Sequence, residues 1–225
     1  MRDTPRTAWV FVFVLMLVLG VLWLLVYVDA ISFAYQRLGL SAEEALLLLL
    51  GSLLGSRIDV PVARIRSEQK VVPQAVTVFG VRYSVPVQVG GTTVIALNVG
   101  GCLIPTAFSF WLMAHTGLWW KSAVAALAVA VVVHLIARPV DGVGIVVPAL
   151  VPPLVAAGIA YAIAGMHAAP IAYVAGTIGT LVGADISNLY RISETGAGVA
   201  SIGGAGTFDA VFLSGVGAVL LDALL

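Results

Sequence analysis

Charge is what this sequence has least of: Asp, Glu, Lys and Arg make up 10% of its 225 residues, against about 25% in soluble domains. A polar surface cannot be assembled from so few charges. With 61% hydrophobic residues and a mean hydropathy of +1.10, the chain reads as an integral membrane protein. Cysteine is nearly absent too. The single Cys102 lies inside an apolar run, which excludes a disulfide framework and a thiol metal or redox pair. The three histidines, His115, His134 and His167, have no metal-ligand spacing and read as core or interfacial residues. No metal or cofactor is expected. Net charge is zero, and nothing points to nucleic acid as a partner. Trp9, Trp119 and Trp120 read as anchors at the membrane interface.

What is present in quantity is long apolar segments. A helix needs about 20 residues to cross about 30 Å of hydrocarbon, and the segments near 8–28, 42–58, 93–115, 122–137, 143–165, 169–190 and 202–221 suggest about seven crossings. The fold class expected is thus an all-α polytopic membrane protein forming one transmembrane domain. Residues 8–28 read as a retained first helix, being longer than a secretory h-region. Ser41, three residues before Glu44, forms a capping-box pattern that marks the start of the second helix. Between the second and third segments, residues 59–92 read as a cytoplasmic loop, where alternation around Gly80, from Val76 to Val85, predicts a small β-hairpin. Placing the N-terminus inside puts Arg2, Arg6, Arg57, Arg64, Arg66, Lys70, Arg82, Arg138 and Arg191 on the inner side and Arg37 and Lys121 on the outer. Nine against two is a strong positive-inside bias, and the C-terminus then faces out.

Within this topology Asp59, Asn98, Asp141, Asp185, Asn188 and Asp209 all fall at or within the cytoplasmic half of their segments, with Arg138 and Arg191 flanking the same level. Ionisable groups at membrane depth mark functional sites by default. Asp185 ends a 16-residue run without charge, and Asp209 follows a turn containing Gly204 and Gly206. Plainer roles compete: Asp141 as an N-cap of the fifth helix, Asp59 as an interfacial helix end, Asp209 as a residue at the start of the last helix, and Asp185 as the partner of Arg191 or Arg138. Gly176, Gly179 and Gly183 lie within about 60° on a helical wheel, a stripe that lets another helix approach. Asp185 points to nearly the opposite side.

The phrases Gly-Ser-Arg-Ile-Asp-Val-Pro61, Ala-Leu-Asn-Val-Gly-Gly-Cys-Leu-Ile-Pro105, Arg-Pro-Val-Asp-Gly-Val-Gly-Ile-Val-Val-Pro148 and Gly-Ala-Asp185 to Asp209 resemble the prokaryotic membrane family catalogued as domain of unknown function 1614. The resemblance runs from about residue 40 onward. It implies a small multi-pass protein of the bacterial or archaeal inner membrane and no assigned activity. In outline, Asp185 with Gly204-Ala-Gly206-Thr-Phe-Asp209 is also similar to the intramembrane aspartyl proteases of the presenilin and prepilin-peptidase group. It departs from them because Thr207 and Phe208 separate the glycine from the acid. Pro148-Ala-Leu150 matches their Pro-Ala-Leu tripeptide but precedes both acids.

Three functions follow as expectations. An aspartyl hydrolase acting on a membrane peptide would use Asp185 and Asp209 as catalytic carboxylates sharing one proton. A proton- or ion-coupled transporter or channel subunit would bind its ion among Asn98, Asp185 and their neighbours beside broken helices, with a homo-oligomer supplying the second half. A non-catalytic scaffold would use the polar cluster for helix packing alone.

Overall fold

The computed structural model describes residues 16–20, 29, 33–78, 81–204 and 206–222. Most of the expected first span, with Trp9, lies outside them; residues 16–20 are helical.

Helix α1, Ala42–Gly55, begins as its sequence requires. The Ser41 hydroxyl accepts the Glu44 backbone N–H at 3.3 Å, and the Glu44 carboxylate accepts the Ser41 N–H at 2.8 Å. Two donors that the first turn leaves without helical partners are thereby satisfied. The chain then turns at Ser56 into a β-hairpin much longer than the expected one. Strand β1, Asp59–Val78, pairs antiparallel with β2, Val81–Asn98, in a register that sets Asp59 opposite Asn98. Phe79 and Gly80 lie outside the described residues.

Strand β2 corrects the third expected segment. Residues 93–98 were expected to begin a helix but are extended, because Thr92-Thr-Val-Ile95 is rich in the β-branched residues that pack well on a pleated surface. One π-helical turn, Val99–Leu103, joins β2 to α2, Ile104–Thr116. Helix α3 spans Trp119–Ile136. The fifth is shorter than expected: β3, Arg138–Val140, and β4, Gly144–Val146, form a small hairpin, and α4 spans only Val151–Ala164. Pro152 and Pro153 lie in its first turn, where the missing N–H groups cost nothing, and Pro148 keeps Val147 out of the helical region.

Helix α5, Ala169–Thr180, runs on through a π-helical turn, Leu181–Asp185, and a 3-10 turn, Ile186–Asn188, into the short α6, Leu189–Ile192. Residues 202–207 were expected to be helical. Instead β5, Val199–Ile202, pairs parallel to β2, matching Val94 with Val199, and α7 starts only at Phe208, ending at Asp222. The described architecture is mostly helical with two small sheets, ordered β1-β2-β5 and β3-β4. The all-α expectation is corrected accordingly: hydropathy counts apolar residues and cannot separate a buried strand from a buried helix.

Helix α5 is the centre of the molecule. Its residues Ile171 to Thr177 are all buried. The glycine stripe works as expected, but against two helices. A Cβ on Gly179 would stand 2.7 Å from Val129 Cβ and 2.8 Å from the Ala126 carbonyl on α3, whereas one on Gly176 would stand 2.8 Å from Ser214 Cβ on α7. Among the described residues, two helices are long and apolar enough to cross a membrane: α3, with 18 residues, and the composite Ala169–Ile192, with 24.

Candidate functional site

Polar side chains gather where the helices meet the three-stranded sheet, in three groups. The first joins the strands. Asn98, fully buried, donates from Nδ2 to the Ser56 carbonyl at 2.8 Å and to Asp59 Oδ1 at 2.9 Å, while its Oδ1 accepts the Gly101 N–H at 2.8 Å. Ser201 on β5 donates a hydrogen bond to the same Asp59 oxygen. Asn98 thus fastens the end of α1, the start of β1 and the first π-helical turn.

Asp185 is the centre of the second group. It is 5% exposed and closes the π-helical turn after α5. Its Oδ2 accepts the Gly203 N–H at 2.7 Å and the Thr207 hydroxyl at 3.1 Å. Gly203 adopts φ +72°, and its Cα lies so near Gly101 that an added Cβ would stand 2.6 Å from the Gly101 carbonyl carbon. Only glycines at both crossing points let the two backbones approach this closely. Through that crossing the first and second groups abut. Asp185 also lines a crevice of about 10 Å³ shared with Gly144 and Ile145 of the small hairpin, Ile192, and Ser201 and Ile202 of β5. A space of that size holds about one water molecule.

In the third group the register change of the long helix frees carbonyls, and Asn188 takes them. Its Nδ2 donates to the carbonyls of Gly183 and Ala184, both at 2.9 Å, and its Oδ1 accepts from Arg191 Nη1 at 3.3 Å. Ser187 donates to the Gly183 carbonyl at 2.7 Å and lies 2.7 Å from His134 Nδ1 on α3. These bonds satisfy buried backbone groups that a regular helix would have paired internally.

A family model described as a protein of unknown function (DUF1614) matches residues 53–221, more than half of the chain. The chain belongs to that family. No curated protein and no solved structure matches it. The family's matched region contains all three polar groups and omits most of α1.

Of the acids expected to converge, Asp59 and Asp185 belong to these groups, together with Asn98 and Asn188. Asp141 lies exposed in the turn between β3 and β4, ten residues ahead of α4, so it is not that helix's N-cap. Arg138 is exposed at the start of β3. Asp209 is exposed in the first turn of α7, the plainer of its two expected positions, and is not among the residues lining the Asp185 crevice. Gly204 and Gly206 shape the turn that presents Thr207: the Gly204 carbonyl accepts the Phe208 N–H at 2.7 Å, and Gly206, at φ +100°, receives the Val147 N–H on its carbonyl at 3.3 Å. Thr207, Ser201, Ser187 and His134 were not foreseen as site residues. A hydroxyl beside a glycine turn is common in any loop, and only the fold brings these to the carboxylate and to Asn188. Among the described residues no three His, Cys, Asp or Glu side chains are grouped to hold a metal ion.

Proposed function

We propose that this is a multi-pass protein of a prokaryotic inner membrane that takes up and releases a proton at Asp185, the coupling carboxylate of a proton-linked transport activity. The membrane reading is supported by what the described helices leave uncovered. On α1, Leu46, Leu47, Leu50, Leu53 and Leu54 are exposed, and on α3 an exposed stripe runs through Trp120, Val124, Leu127, Val131 and Leu135. Burying each large apolar side chain is worth about 1.5–3 kcal/mol, and an apolar stripe of this extent is what lipid would cover. Helices α1, α2, α4 and α7, of 14, 13, 14 and 15 residues, are short for a straight crossing. In the seven-span topology α2 is lengthened by the π-helical turn Val99–Leu103, whose Gly100 and Gly101 are buried in protein, where irregular backbone is tolerated at depth.

The observation that carries the proton reading is Asp185, the one carboxylate buried among the described residues, which closes a π-helical turn, is held by Gly203 and Thr207, and borders a one-water crevice. π-turns recur at functional sites. A carboxylate with one water beside it is the minimal unit of a proton relay, and the crevice admits nothing larger. The two-carboxylate hydrolase is less well supported, since its acids must face each other to share a proton and Asp209 is exposed and outside the crevice lining.

Reconstitution of the full chain into liposomes with an internal pH dye tests this. The wild type should dissipate an imposed pH gradient, Asp185→Asn should not, and Asp209→Asn should behave as wild type. Equal flux in wild type and Asp185→Asn overturns the proposal. Cleavage of a membrane peptide that is lost in both Asp185→Asn and Asp209→Asn would establish the hydrolase instead.

A further inference from the structure

The end of the helical bundle away from the sheet holds a cavity of about 500 Å³ that none of the preceding argument uses. Arg37, Lys121 and His167 line it, along with the Thr116 end of α2, Ala164 at the end of α4 and Pro170 in the first turn of α5. Arg37 and Lys121 are the two basic residues that the topology assigns to the outer side. They come from segments about eighty positions apart, yet the fold brings both to one hollow. No carboxylate is among its lining residues; the positive ends of α3 and α5 meet the negative ends of α2 and α4 there and offset one another, so the field comes from the basic side chains. The guanidinium of Arg37 is steadied over the Phe33 ring, 5.4 Å from its centroid, a contact that holds a cation in place at modest cost.

Trp119 and Trp120, next to Lys121 in sequence, are 49% and 79% exposed. Exposed indoles of this kind settle at the level of lipid headgroups, which puts Lys121 at phosphate depth. Half of the lining, through Leu118, Ala164, Ala169 and Pro170, is apolar, suited to the glycerol and upper chain that lie beneath a phosphate. From this placement we infer that the cavity binds the phosphodiester headgroup of an anionic phospholipid, gripped by Arg37 and Lys121. The inference rests on the membrane reading above and is independent of the proton site.

Native mass spectrometry of the full chain in detergent, titrated with phosphatidylglycerol or phosphatidylcholine, provides the test. The wild type should retain phosphatidylglycerol in preference, and the double variant Arg37→Gln, Lys121→Gln should lose about thirtyfold of that affinity, given the usual contribution of each basic residue near an anionic headgroup. Phosphatidylcholine, whose choline cation offsets the charge of the same phosphodiester, should lose less. The double variant Arg37→Lys, Lys121→Arg should keep the preference, which separates charge recognition from misfolding. Equal retention of the two lipids by wild type overturns the proposal, as does undiminished phosphatidylglycerol retention by the glutamine variant. Displacement of the lipid by inorganic phosphate alone, with equal affinity, would assign the cavity to a free anion and likewise overturn it. A chain that stays in aqueous solution without detergent would refute the membrane reading itself, a result distinct from all of these.

Discussion

Asn188 stands where the long central helix changes register, and its amide is the only group named here that reaches both the Gly183 and the Ala184 carbonyls. Substituting Asn188→Ala removes this amide from a fully buried place: the Gly183 carbonyl keeps the Ser187 hydroxyl, while the Ala184 carbonyl loses its side-chain donor. A buried acceptor left without a partner costs about 1–3 kcal/mol, so thermal unfolding in detergent should move to lower temperature. A melting temperature equal to that of wild type would refute this role. At the same scale, the sequence announced Asp185 by its position after an uncharged run, because a carboxylate in an apolar segment needs an explanation wherever it points. It did not announce Thr207 or Gly203, whose importance lies in facing that carboxylate across a gap of 22 and 18 positions.

Among the elements, the contact between α3 and α5 depends on backbone proximity that a single methyl group would prevent. Gly179→Ala would drive a Cβ against Val129 and the Ala126 carbonyl, and overpacking of this kind costs about 1–3 kcal/mol. Gly158, within α4, has nothing within 4 Å of an added Cβ. Gly158→Ala should therefore stabilise the protein by about 0.5–1 kcal/mol through the lower entropy of its unfolded chain. Opposite shifts of the two unfolding midpoints are the expected result, and shifts of the same sign would show that the close approach is not maintained in solution. The stripe was legible as a periodicity of glycines, but not its division between α3 and α7. Residues 93–98 and 143–150 read as helix for a related reason: a run of Thr, Val, Ile and Ala is as apolar in a sheet as in a helix, and the pairing of β2 with β1 and β5, and of β4 with β3, decides between them.

For the whole molecule, hydrogen bonds from Glu68 N–H to the Ser193 carbonyl at 2.9 Å, and from Gly142 N–H to the Thr195 carbonyl at 2.8 Å, tie β1, the β3-β4 turn and the end of α6 together. Arg64, Arg66, Arg138 and Arg191 lie on these same elements, while Arg37 and Lys121 line the cavity at the other end. The proposed topology then predicts labelling in whole cells. On a Cys102→Ala background, Lys121→Cys should react with a membrane-impermeant maleimide, and Glu68→Cys should react only after permeabilisation; the reverse pattern would invert the topology. By itself the sequence determined the apolar character, the distribution of basic residues, the start of α1 and the family, because each of these is a local or additive property of residues. Only the tertiary structure decided which apolar runs are strands, which acid is buried and which exposed, and which glycines meet, because those depend on partners from distant parts of the chain that no local pattern specifies.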